Sequence, residues 1–319
     1  MKKFMLTIAA VLFGFSAFAE EYYYFSNELS SDTMDVKNSD FTGALNTTLF
    51  DIGNEKFDAE IYSVVELTTD ENTKPEGIKF NDFDWFFNFK PVEKVTLHLS
   101  DNVWAAGSYM FIDDYWSFGG RMGSDGFSVS TTIIPNLKLI ATVPFSLDVE
   151  DSFSSFSFGF GAEYNIFGKA IVSGMVKYED DDFGEKVVKS GTYISFTPIE
   201  ELVINAGYSH KNWGIGYVEA DDIFLASGTY SVKGVTVLGD FATSKDAFYA
   251  AGTVKYQIES FIPTVTVKYF DAIDTIECNP RITYTVGCHE LTAGIRVTVV
   301  EKSVENVTIP VSWKVQLMK

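Results

Sequence analysis

Apolar and polar residues alternate with a period of two through most of the chain. Between positions 289 and 299, Leu291, Ala293, Ile295, Val297 and Val299 share one side, and Thr292, Gly294, Arg296 and Thr298 share the other. Positions 307 to 317 repeat the pattern, with Val307, Ile309, Val311, Trp313, Val315 and Leu317 set against Thr308, Pro310, Ser312, Lys314 and Gln316. Successive side chains of an extended strand point to opposite faces, so each such segment predicts a strand with one apolar face. The same reading gives strands at 201 to 210, where Leu202, Ile204, Ala206 and Tyr208 oppose Asn205, Gly207 and Ser209, and at 168 to 179, 234 to 242, 246 to 257, 262 to 270 and 280 to 287. Further strands fall at 41 to 50, 57 to 67, 78 to 89, 94 to 101, 125 to 134, 137 to 147, 153 to 164, 187 to 197 and 222 to 231. Their typical length, about ten residues, exceeds the five or six of soluble sheets and matches a strand that crosses a bilayer.

The connections come in two alternating kinds. Short ones carry Pro or Gly, as at Pro91, Pro135, Gly168, Pro198, Gly234 and Gly287. Longer acidic ones lie at 69 to 77, 148 to 152, 179 to 185, 211 to 221 and 271 to 277. Pro lacks an N–H and so belongs where a ladder ends. Counting back from a C-terminal strand that ends in the periplasm puts every short turn on that side. Two short turns are near copies, residues 89 to 97 (FKPVEKVTL) and 196 to 204 (FTPIEELVI). Aromatic residues collect beside the short turns: Trp85, Phe87, Phe89, Tyr164, Phe167, Phe196, Tyr256 and Phe261.

Composition decides where these strands reside. Lys2 and Lys3 precede an apolar run that closes on Ala17-Phe18-Ala19, the order of a secretory signal cleaved after Ala19. No later run is long and apolar enough for a membrane helix, although 46% of the chain is hydrophobic and 16% aromatic. The formal charge is -20, with 44 acidic residues against 24 basic ones, which argues against a nucleic-acid partner. Residues 20 to 40 form an N-terminal segment, partly disordered or an extra strand, and residues 41 to 319 a single barrel domain.

The signal, the alternating strands and the two-sided loop asymmetry together resemble bacterial outer-membrane β-barrel proteins of the porin type. The resemblance is a pattern over nearly all of the mature chain and not a motif. It departs at Gln316-Leu317-Met318-Lys319, where such barrels carry a terminal aromatic and Trp313 is the nearest one here. It implies a closed antiparallel transmembrane β-barrel. About seventeen or eighteen strands are counted, and the even-number preference of such barrels gives 16 to 18 strands.

With the apolar face toward lipid, parity points Lys255, Lys268, Arg281, Arg296 and Lys314 into the lumen from the C-terminal strands. Asp58, Glu60, Glu66, Asp82 and Asp84 point inward from two early strands. Closing the barrel brings the two arcs close together, either as ion pairs that stiffen the wall or as a transverse field across a water-filled pore. Residues 101 to 125 are read as an extra hairpin, with 103 to 112 as its strand, or as a loop folded inward that sets Asp113 and Asp114 at a constriction.

Enzyme chemistry finds little support: His98, His210 and His289 show no metal-ligand spacing, and no nucleophile elbow is present. His98 and Ser100 have the two-residue spacing of outer-membrane phospholipases, but the flanking residues do not resemble that family and parity turns the pair inward. Cys278 and Cys288 lie about 30 Å apart if 280 to 287 spans the membrane, and close a disulfide if it is a local hairpin; the clean alternation favours separation. The expected function is passive diffusion of small hydrophilic solutes or ions through the bacterial outer membrane, with no cofactor and no metal. The expected partners are membrane lipid, the solutes and a homo-oligomeric copy. The alternatives are a surface-exposed structural or adhesive barrel without an open pore, and a secreted soluble β protein.

Overall fold

The computed structural model describes residues 22–31, 44–69, 75–100, 110–112, 116–118, 126–144, 158–180, 186–211 and 221–318. The signal segment and the pair Asp113 and Asp114 lie outside the described residues. The wall begins with β1 (Tyr22–Ser31), β2 (Ala44–Gly53), β3 (Phe57–Thr69), β4 (Pro75–Val92) and β5 (Val95–Ser100). After a small separate hairpin, β6 (Met110–Ile112) and β7 (Trp116–Phe118), it resumes with β8 (Gly126–Thr131), β9 (Leu137–Pro144), β10 (Phe158–Ile166), β11 (Ala170–Asp180) and β12 (Lys186–Ile199). It continues through β13 (Leu202–His210), β14 (Asp222–Val232), β15 (Val235–Thr243), β16 (Phe248–Tyr256), β17 (Phe261–Phe270) and β18 (Thr275–Val286). The last segments are β19 (His289–Gly294), β20 (Arg296–Val300), β21 (Ser303–Thr308) and β22 (Val311–Met318).

All neighbours in the wall are antiparallel, and the sheet closes where β1 pairs with β22, from Tyr24↔Met318 to Ser31↔Val311. β20 continues β19 past Ile295, and β22 continues β21 past Pro310, so the wall is a closed antiparallel barrel of 18 strands. The break has a local cause. Pro310 cannot donate to the ladder, and here its carbonyl accepts from Gly294 N (3.0 Å) while Pro280 O accepts from Ile295 N (3.0 Å).

Three regions sharpen or change the sequence pattern. Within the segment 20 to 40, read as partly disordered or an extra strand, residues 22 to 31 are a strand, and it closes the barrel. β5 pairs directly with β8, and the described residues of the intervening segment, Met110–Ile112 and Trp116–Phe118, pair as a hairpin in their own two-stranded sheet, the extra hairpin being outside the wall. β18 begins at Thr275, so the expected loop at 271 to 277 shrinks to a 3-10 turn at Asp271–Ile273 and Asp274. Cys278 therefore sits within a strand and Cys288 in the turn after it, and both thiols are free.

Most short turns lie at one end with Tyr22 and Met318 and the longer connections at the other, with the two-residue turn Glu301-Lys302 between β20 and β21 an exception at the loop end. Lys233 and Gly234, both left-handed (φ 49° and 81°), make the two-residue type I′ turn that matches strand twist. On the outer face, Tyr164, Phe196, Tyr230, Tyr256 and Phe261 ring the short-turn end, and Phe158, Phe224, Phe241 and Phe248 the loop end. Phe248 and Tyr256 are about 26 Å apart along their strand, which with strand tilt fits the hydrocarbon thickness between two aromatic girdles. Between them the outward side chains are exposed and apolar, for example Val265 (46%) and Ile282 (47%).

One outward patch is polar. Asn27 Nδ2 donates to Asn46 Oδ1 (3.1 Å) and Thr48 Oγ1 (2.8 Å), and Asn46 Nδ2 returns a bond to Asn27 Oδ1 (3.2 Å). Mutual hydrogen bonding is what makes such groups tolerable in lipid.

Short turns in outer-membrane barrels face the periplasm. In a Cys278→Ser, Cys288→Ser background, a cysteine at Asp246, in the exposed connection between β15 and β16, should react with an impermeant maleimide on intact cells. One at Glu200 should react only after lysis; labelling at Glu200 alone on intact cells reverses the orientation.

Candidate pore

The register fixes which side chains share the inner face. Thr253 and Thr266 bond across β16 and β17 (2.9 Å), and Thr283 and Thr292 across β18 and β19 (2.8 Å), forming hydroxyl rungs. Lys255 stands between Thr236 and Thr264, Lys268 beside Glu277, Arg281 between Thr264 and Gly294, and Arg296 beside Thr308. Lys314 is flanked by Glu28 on β1 and Glu290 on β19. All five cations occupy inward register positions, but Glu28, Glu277 and Glu290 interleave with them.

Sequence reading missed Glu28 because residues 20 to 40 lay outside the strand pattern, and Glu277 because it was assigned to a loop. The alternation of Ser26, Glu28 and Ser30 with Phe25, Asn27 and Leu29 is the signal that could have found the first.

On the acidic side, Asp58 faces Asn88, Glu60 faces Asp51, Glu66 faces Lys79, Asp84 faces Tyr62 and Asp82 faces Val64. Asn88 donates its Nδ2 to Asp58 Oδ2 (2.9 Å), which leaves Asn88 Oδ1 to meet His98 Nδ1 at 2.6 Å. The ring of Phe86 lies against His98, with centroids 5.8 Å apart. His98 is thus part of a structural polar chain in the inner wall, anchored at Asp58.

The two arcs meet across the closure seam. Glu28 and Glu66 on one side and Arg281 and Arg296 on the other line one cavity of about 580 Å³. Gly294 permits this close packing: a Cβ there would stand 2.7 Å from Pro280 O and 2.8 Å from Arg281 Cβ. Gly294→Ala is therefore expected to cost about 1–3 kcal/mol, read as a lower urea midpoint for the refolded barrel. An unchanged midpoint would show that β18 and β19 separate freely.

The adjoining arc is different. Ile223, Leu225, Ala242, Tyr249 and Phe270, inward on β14 to β17 near the loop end, form a cluster no more than 8% exposed. Lys177 on β11 is 2% exposed. Inner side chains so shielded do not border open water, so the bore is narrowed on this side.

No family model and no curated protein matches the sequence. The fold has solved counterparts. OpdK of Pseudomonas aeruginosa, solved with vanillate, superposes with a TM-score of 0.57 at 11% identity, over 94% of this chain and 98% of that one. A mutant Rh. blastica porin gives 0.51 at 11% identity, over 93% and 99%, and OccK8 (OprE) of P. aeruginosa 0.52 at 11%, over 93% and 98%. The fold is that of bacterial outer-membrane porins. At such identity the likeness carries architecture and not solute preference. Among the described residues, no group of three or more His, Cys, Asp or Glu could hold a metal ion.

Proposed function

We propose that the chain is an outer-membrane channel for the passive diffusion of small hydrophilic solutes or ions. The observation that carries this reading is the division of faces: an apolar, aromatic-girdled outside and an inside of hydroxyls and charges, on a closed barrel large enough to leave an aqueous bore. Lys255, Lys268, Arg281, Arg296 and Lys314 are its basic lining, and Asp58, Glu60, Glu66, Asp82 and Asp84 its acidic lining. Asp113 and Asp114 are assigned to the constriction on charge and chain position alone. Diffusion down a gradient asks nothing of a cofactor, and a homo-oligomer of such barrels is part of the same proposal.

A second reading has a specific observation behind it. The water-excluded apolar cluster on β14 to β17 suits a barrel that is closed to solutes and serves as a structural or adhesive element. Planar-bilayer recording of the refolded, detergent-purified chain separates the two. Discrete KCl conductance steps are expected from the channel; silence from correctly folded barrel favours the second reading.

A further inference from the structure

A second hollow lies at the closure seam, on the lipid-facing side of the wall, with a volume of about 670 Å³. Its floor is the outward register row Ile282↔Ala293↔Val311, and its bank is the row Phe261↔Tyr284↔Leu291↔Trp313. The floor drops because Ala293 offers only a methyl group between Ile282 and Val311. Two contacts keep the bank standing. The rings of Phe261 and Tyr284 pack 4.8 Å apart, and Trp313 Nε1 donates to His289 Nδ1 (3.3 Å) while the two rings stack at 5.9 Å. His289 lies on the short-turn side of Leu291 and Ala293 on the loop side, so this bond holds the indole away from the floor. The bank belongs to the short-turn girdle through Phe261, and the floor lies one step deeper in the hydrocarbon layer.

We propose that this hollow lodges one acyl chain of a phospholipid from the periplasmic leaflet. The short turns face that leaflet, and a space left empty beside Ala293 would forfeit the dispersion contacts of its lining. A second barrel fills it poorly, because a convex, hydrogen-bonded wall comes to rest on the aromatic bank and leaves the floor bare. A flexible chain follows the trough and meets apolar side chains at its side and beneath it. The lodged chain therefore exchanges less readily than the lipids that merely surround the barrel. The proposal rests on membrane residence alone, so it holds or fails independently of conduction.

Quenching of Trp313 fluorescence by brominated phosphatidylcholine tests the site. One variant keeps Trp313 as its only tryptophan (Trp85→Phe, Trp104→Phe, Trp116→Phe, Trp213→Phe), and another keeps Trp85 instead, outward on β4. Both are folded in detergent micelles and titrated with the lipid. Half-maximal quenching of Trp313 is expected at a lipid mole fraction at least about tenfold below that for Trp85, the gain from burying about two further CH2 groups. Ala293→Leu in the Trp313 background should fill the floor and raise the half-point to that of Trp85, whereas Ala141→Leu, outward on β9, should leave it unchanged. Mass spectrometry of the unaltered chain, released from micelles containing phosphatidylcholine, should show one retained phospholipid. Equal half-points for Trp313 and Trp85, or no lipid retained by the unaltered chain, overturns the proposal; a dimer or trimer in that preparation would then assign the hollow to a second copy.

Discussion

Replacing Lys268, Arg281 and Arg296 together by Gln should turn the channel toward cations. These residues stand at inward positions on three adjacent stretches of wall, β17, β18 and β20. A unit charge about 4 Å from a passing ion in water is worth about 1 kcal/mol, roughly a fivefold bias in occupancy. Their removal leaves Lys255 and Lys314 against Glu28, Glu66, Glu277 and Glu290 on this part of the inner wall, a net acidic set. The cation-to-anion permeability ratio, from reversal potentials in a KCl gradient, should rise at least about fivefold near 0.1 M salt. Exposed charges are screened over about 3 Å at 1 M, so the shift should shrink there. An unchanged ratio in an open channel would place all three side chains outside the ion path.

The second large effect concerns the outer face. Val265→Arg, midway along β17, puts a charge against lipid near the bilayer centre, where it costs about 2–4 kcal/mol. Urea unfolding from lipid vesicles should show that loss, with Val265→Leu close to the unaltered protein. The contrast with Lys268 on the same strand is one of parity: Thr264, Thr266 and Lys268 turn inward, and Val265 and Val267 outward. A Val265→Arg barrel as stable as the original would mean that β17 does not face lipid.

Much of this architecture was legible in advance because strand parity and hairpin register are local. Leu291, Ala293 and Ile295 opposite Thr292, Gly294 and Arg296 need only the pleat to be assigned to faces. Short turns such as Lys233-Gly234 then fix each register to its neighbour. The pattern failed where a rule of thumb was too coarse. Tyr22–Ser31 carries Asn27 on its apolar face, which blurs its alternation, and that polar residue is tolerated only because Asn46 and Thr48 bond it. Glu277 looked like loop because it follows an acidic run. The inner arc of Ile223, Leu225 and Tyr249 escaped notice for the opposite reason: an inside assumed to be wet gives no cause to look for apolar burial.

Strand type, strand length, the division of inner from outer residues and the end at which most short turns gather follow from the sequence alone, since each depends on residues within one hairpin. How the two ends of the chain meet is a property of the folded sheet as a whole. The pairing of β1 with β22 joins segments about 290 residues apart in a register that no turn dictates. That register, with the break at Ile295 and Pro310, sets Glu28 and Glu66 across one cavity from Arg281 and Arg296. Parity placed Glu66, Arg281 and Arg296 on the inner face, and the β1 register added Glu28. Closure chose which of them became neighbours, because circumferential position in a barrel is a property of the whole sheet and not of any strand in it.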